Sequence, residues 1–279
     1  LAGVEAPPRA QIIRAIALEL ERLACHIGDL GALAGDIGYL PTASFCGRIR
    51  GDFLNMTALL CGNRFGRGLV VPGGAGYDLD SACADELGRR LDAGEKDATR
   101  AIQLLWDTQS VLARFEEVGT LSAAAAAELG LVGPAARASG LARDIRRDHP
   151  AGCFRAAHPV CATCPGGDVQ ARAYVRWLEI QQSLAIIRSQ LRTLPEGPLT
   201  AAVGPLAPET FAVALTEGWR GEVCHVAVTD AQGRLARYKV VDPSFHNWPG
   251  LALAMRNQAI SDFPICNKSF NLSYCGHDL

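Results

Sequence analysis

Residues 7–30 read PPRAQIIRAIALELERLACHIGDL, and this stretch decides the fold class. Pro7 and Pro8 stand at the start of a helix, where a missing N–H leaves nothing unpaired. Ile12, Ile16, Leu20, Leu23, Ile27 and Leu30 then recur at steps of three and four. That is the stripe of a helix facing a core. The other side carries Arg14, Glu21, Arg22, Cys25, His26 and Asp29. Gly31, Gly35 and Gly38 loosen the end, and Pro41 is expected to stop the helix.

Working outward, a second helix is expected from Ser44 to about Asn63. The stretch from Arg64 to Gly74 is too rich in Gly and Pro for a helix interior. Leu87, Leu91, Ala98, Ile102, Leu105 and Leu112 give a third helical region from near Ala84 to about Val118, with a break expected at Gly94. Short helices and loops follow from Gly119 to Gly167, including the Ala123–Ala127 run. The strongest later pattern is Ala173, Trp177, Ile180, Leu184, Ile187 and Leu191, a packed helix ending before Pro195. Arg172, Arg176, Glu179, Arg188 and Arg192 are expected on its solvent side. After Pro208 the β-branched runs Val223–Thr229 and Arg234–Val241 flank Asp230-Ala-Gln-Gly233 and read as a β-hairpin. A short helix is expected around Leu251–Arg256, after Pro249. The expectation is one mainly α domain over residues 1–279, an antiparallel bundle of long helices with a small β-hairpin.

Composition narrows the function classes. The 279 residues can bury a sizeable core, and 49% apolar with 20% charged residues argues against disorder. A net charge of −2 gives no sign of a nucleic-acid partner. No apolar run is long enough to span a bilayer, so a membrane would be reached through a partner. The chain opens at Leu1 without an initiator Met and is expected to be the C-terminal part of a longer subunit. The ten cysteines, with no export signal, are expected as reduced thiols or metal ligands. Cys25, Cys46, Cys61 and Cys83 read as small buried apolar residues.

Several motifs together carry a family resemblance. Pro7-Pro-Arg-Ala-Gln-Ile-Ile-Arg14 followed by Glu21-Arg-Leu-Ala-Cys-His-Ile-Gly-Asp29 resembles the opening bundle helix of the complex I large catalytic-arm subunit. Arg64-Phe-Gly-Arg67, Pro72-Gly-Gly74, Leu194-Pro-Glu-Gly-Pro198 and Glu217-Gly-Trp-Arg-Gly-Glu222 are similar to later motifs in the same order. Asp242-Pro-Ser-Phe-His-Asn-Trp-Pro249 and Asp262-Phe-Pro-Ile-Cys-Asn-Lys-Ser-Phe270 complete the pattern. Within that superfamily, which includes the [NiFe]-hydrogenases, the resemblance is greatest to formate-hydrogenlyase-type large subunits. It implies a hydrogenase large-subunit-like fold and an oxidoreductase subunit, NADH:quinone oxidoreductase-like or hydrogenase-like. Its implied partners are an iron–sulfur small subunit, which carries the clusters, and membrane subunits, on the cytoplasmic inner face of the cell membrane. No nucleic acid and no direct membrane insertion are implied.

In the hydrogenase branch two Cys-x-x-Cys pairs hold nickel and iron, soft metals suited to thiolates. The second pair should fall within the last ten residues. Cys275 matches its second position, but Leu272 stands at the first. The resemblance therefore implies a remnant site without a standard nickel–iron centre, with a quinone or other acceptor near the former cavity. A [NiFe]-hydrogenase with an altered ligand and a non-catalytic assembly scaffold remain the competing readings. Arg220 would reach over the centre, against the plainer reading of a surface turn arginine. Ser244 would lie near the active site or simply order its turn. His26 would face the cavity or serve as a structural histidine. Arg64 and Arg67 would face the cavity, an iron–sulfur partner or helix carboxylates. Glu196 and Glu222 would carry protons or steady turns, and the mixed charges of 143–150 form a solvated face or a proton path. Separately from the resemblance, His158-Pro-Val-Cys161-Ala-Thr-Cys164 could hold a metal with Cys153 or His149, act as a redox pair, or carry two free thiols.

Overall fold

The computed structural model describes every residue except His158, Asp278 and Leu279. Two long helices open the chain: α1, Pro8–Asp36, and α2, Leu40–Cys61. Pro41 does not stop α1. It lies in the first turn of α2, where proline's fixed φ suits a helix start. Gly31 is interior to α1, and a Cβ there would sit 2.6 Å from the Cys46 Cβ, so this glycine lets α2 approach closely.

A two-residue pair, β1 (Val70–Val71) and β2 (Gly74–Ala75), closes the Gly-rich loop. Next come α3, Ser81–Trp106, capped by Asp80, and α4, Gln109–Phe115. The break falls at Asp107–Thr108 rather than at Gly94, which stays helical and packs under Phe53. Four short helices follow: α5 (Ala123–Glu128), α6 (Gly133–Ala138), α7 (Ile145–Asp148) and α8 (Phe154–Ala157). The long α9 runs Val169–Arg192, with Asp168 accepting from the Ala171 N–H at 2.8 Å.

The expected hairpin is a three-stranded antiparallel sheet, with β3 (Phe211–Gly218), β4 (Gly221–Thr229) and β5 (Leu235–Val241) in chain order. The missed strand, FAVALTEG, holds Phe211, Val213 and Thr216, but alanines at 212 and 214 dilute its β-branched signature. Helix α10, Pro243–Ala254, starts earlier than expected and contains Pro249. Helices α11 (Phe263–Phe270) and α12 (Tyr274–His277) end the chain.

The structure is mainly α. One core joins Ile16, Leu23 and Leu30 of α1 to Phe53 of α2, Leu91 of α3 and Ile180 of α9. A smaller cluster gathers Leu121, Leu131, Leu251, Cys266, Phe270 and Leu272. All ten cysteines are free thiols. Cys46 and Cys61 are buried as expected, whereas Cys25 and Cys83 are half-buried.

Candidate functional site

Helices α1 and α9 each carry two buried stripes, one apolar and one charged. On α1 the charged stripe is Glu19, Arg22 and Asp29 with His26 among them; on α9 it is Arg172, Arg176 and Glu179, extended by the Ser183 hydroxyl. The expectation that Arg172, Arg176 and Glu179 face solvent is thus corrected. Of that set, Arg188 pairs with Asp92 of α3 at 2.8 Å, and Arg192 is exposed.

Glu179 is the hub. Its Oε1 accepts from Arg137 Nε at 2.8 Å, and its Oε2 lies 2.8 Å from His26 Nε2 and 3.7 Å from Arg22. Burial alone would raise this carboxyl, but Arg137, His26 and Arg22 outweigh it and hold Glu179 well below the usual carboxylate range. Glu19 accepts from Ser183 Oγ at 2.6 Å and from Arg146 at 3.0 Å. Arg137 reaches on to Glu217 at 2.8 Å, whose other oxygen accepts the Ile145 N–H at 3.0 Å. Burial raises the Glu217 carboxyl, and Arg137 offsets this only in part. Among the described residues, five carboxylates (Glu19, Asp29, Asp144, Glu179, Glu217) and five arginines (22, 137, 146, 172, 176) are buried. The interior therefore balances when His26 is neutral.

Burial does lower the His26 pKa, against the pull of Glu179, and Arg176 and Arg22 add to the lowering. The unfolded chain protonates this residue near 6.5, whereas the folded chain resists. Stability from this source is present above that pH and lost as pH falls, at up to about 1.4 kcal/mol per pH unit. His26→Gln is expected to flatten that slope between roughly pH 6.5 and about 5.5. Urea unfolding of both proteins at the two pH values checks it.

A second cluster forms at the chain's end. Arg220 sits in the tight turn between β3 and β4, and its Nε donates to the Asn271 carbonyl at 2.5 Å. Asn271 takes the left-handed φ of 50° that asparagine tolerates. Its Nδ2 donates to Asp29 at 2.6 Å, and Asp29 pairs with Arg176 at 3.1 Å. Ser244 Oγ accepts the Ser273 N–H at 2.9 Å, and Ser273 Oγ lies 3.4 Å from Cys275 Sγ. Arg220, Ser244 and Cys275 thus meet around residues 271–276, with His26 one turn from Asp29 on α1. Cys275 is exposed, while Leu272 is buried in the smaller core. This segment supplies a single thiol.

Arg64 and Arg67 are on the exposed loop after α2. Arg64 edges a groove of about 600 Å³, walled also by Arg14, Leu18, Glu21, Cys25 and Arg50. Glu21 and Cys25, in its wall, both feel the Arg220 charge. Glu222 lines a smaller cavity with Asp144, Asp148 and His149, whereas Glu196 stands outside both cavities. Cys161 and Cys164 are half-buried, and burial pushes the Cys161 thiol up to about 11. His158 lies outside the described residues. Among those described, no three His, Cys, Asp or Glu side chains gather as a metal-binding group.

Sequence reading misses Glu19, Arg137, Arg146, Glu179 and Glu217 as a connected unit. Two signals point to it. Charges of both signs repeat at helical spacing on helices that already own an apolar stripe, and Arg137 is a lone charge in the small-residue run GPAARA.

A sequence model described as respiratory-chain NADH dehydrogenase, 49 Kd subunit, matches residues 36–208. The chain belongs to this family. Among relatives, it is 35% identical over 272 residues to the carbon monoxide-induced hydrogenase of Rhodospirillum rubrum, covering 97% of this chain and 75% of that protein. It is 32% identical over 275 residues to formate hydrogenlyase subunit 5 of Escherichia coli (strain K12), covering 98% of this chain but 48% of the relative. It is 33% identical over 264 residues to an NADH-quinone oxidoreductase subunit of Solibacter usitatus (strain Ellin6076), covering 94% and 71%. The 49 Kd family resemblance of the sequence motifs is thereby borne out. Both hydrogenase and quinone-oxidoreductase names occur among the relatives. No described helix of this 49 Kd family member is long and apolar enough to cross a membrane.

Proposed function

We propose that the chain is a redox subunit of a membrane-associated complex I-like or energy-converting hydrogenase-like oxidoreductase. It works with an iron–sulfur small subunit and membrane subunits, on the cytoplasmic inner face of the membrane. It binds quinone or another acceptor without a standard nickel–iron centre. The convergence of the Arg220 turn, Ser244 and residues 271–276 carries this reading. With a hydrocarbon at 272 and one exposed thiol at 275, the terminal segment does not fit a centre that needs two thiolates from this end.

The groove beside Glu21 and Cys25 has room for a quinone headgroup. A bound quinone would supply a two-electron acceptor. Arg220, held through Nε, would keep its remaining donors for developing negative charge. Ser244 holds the terminal segment against α10 and so orders it.

Nickel and iron analysis of the assembled complex tests the reading. Stoichiometric nickel overturns it and favours the catalytic large subunit of a [NiFe]-hydrogenase, a second reading that the 35% identity to the Rhodospirillum hydrogenase supports. Arg220→Ala is expected to lower turnover about 10- to 100-fold, with Arg220→Lys recovering part. Size-exclusion chromatography should show the complex intact. Unchanged turnover in both Arg220→Ala and His26→Ala would favour the scaffold reading instead.

A further inference from the structure

Two strands of the three-stranded sheet, β3 and β5, are largely exposed. Residues 235–239, most of β5, are all exposed, and among the described residues β5 is an edge strand paired with β4 alone. Such an edge presents a row of unpaired N–H and C=O groups. Its surroundings are apolar. Phe211 is 64% exposed, Val213 51%, Leu235 55% and Tyr238 57%. Strand register sorts these onto two faces. One carries Phe211 and Val213 beside Val226 and Val228, then Lys239 and Arg237. The other carries Tyr238 beside Ala227, with the Tyr238 hydroxyl 2.6 Å from His225 Nδ1.

Charge selects the occupant. The strand LARYKVV has no acidic residue, and Arg237 has no carboxylate partner among the described residues. A second copy pairing edge to edge would set cations of one β5 against cations of the other, which is unfavourable. We propose that β5 docks an extended acidic–apolar segment of a partner subunit as a fourth strand. A carboxylate of that segment lies against Arg237, and an apolar side chain packs on Tyr238. Main-chain hydrogen bonds then give affinity, and the alternating side chains give specificity. The docking rests on the reading that the chain works in a multi-subunit complex.

The test uses the purified complex beside the isolated chain. Hydrogen exchange of residues 235–241 is expected to slow at least about tenfold in the complex. A photo-crosslinking residue placed at 238 is expected to join a segment of another subunit carrying Asp or Glu. Arg237→Glu is expected to weaken association about tenfold, and reversing the crosslinked carboxylate to Lys or Arg should restore it. Equal exchange in both samples overturns the proposal. So does a crosslink to a second copy or to this chain itself, or an Arg237→Glu variant that binds normally. A complex that forms with β5 still exchanging freely sinks this docking and leaves the redox reading standing. Failure to find any partner subunit sinks both.

Discussion

Glu179→Ala is expected to destabilise the chain by about 3–5 kcal/mol, the cost of breaking a buried ion pair from one side. Glu179 touches Arg137, His26 and Arg22, all of which are buried. Removing it leaves five guanidiniums facing four carboxylates in a medium that solvates charge poorly. Protonating a neighbour cannot repair the imbalance, because the missing charge is negative. Glu179→Gln restores hydrogen-bond acceptance on one side only and is expected to recover less than half the loss. Guanidinium chloride unfolding gives the measurement. A loss below about 1 kcal/mol for Glu179→Ala would show that water reaches the array and that its charges are not interior ones.

The second large effect concerns the turn that presents Arg220. Gly133 has φ +64°, and a Cβ built on it would lie 2.1 Å from the Arg220 carbonyl oxygen and 2.5 Å from Gly221 Cα. These neighbours are backbone, so no side-chain rotation relieves the overlap. Gly133→Ala therefore combines a left-handed residue, about 1–2 kcal/mol, with overpacking of about 1–3 kcal/mol. The expected sum is roughly 2–5 kcal/mol, accompanied by displacement of Arg220 from Asn271 and loss of activity in the complex. Gly130 provides the control. Its φ is +67°, but a Cβ there meets nothing within 4 Å. Gly130→Ala should show only the conformational part, about 1–2 kcal/mol, and normal activity. If the two variants behave alike, the close approach at Gly133 does not set the Arg220 turn.

The long helices are legible in the sequence because their apolar residues keep the helical period over five or six turns. Boundaries are less so. Pro41 looks like a stop, yet proline suits both the end of one helix and the first turn of the next, and only a three-residue link separates α1 from α2. Strand β3 is hard to see because alanines at 212 and 214 interrupt its β-branched residues, which are denser in its partner β4. The motifs that bring Arg220, Ser244 and residues 271–276 together are visible through family order, although their contacts are not. The buried charges mislead for a physical reason. A charged stripe on an amphipathic helix looks the same in sequence whether it meets water or a second stripe whose mixed charges complement it. Arg176 and Glu179 find their partners on α1, some 150 residues earlier, and no local pattern announces such a pairing.

Those long separations also set a schedule for the newborn polypeptide. His26 and Glu179 are 153 residues apart, and Asp29 and Asn271 are 242 apart. At a synthesis rate of about 5–20 residues per second, Asp29 waits on the order of ten to fifty seconds for Asn271 to emerge. Glu19, Arg22 and His26 find their partners earlier, among residues 146–218, so Asp29 is the last of the stripe to be completed. That contact is thus left to the segment around residue 271, and a product truncated before residue 271 would leave Asp29 with Arg176 but without Asn271.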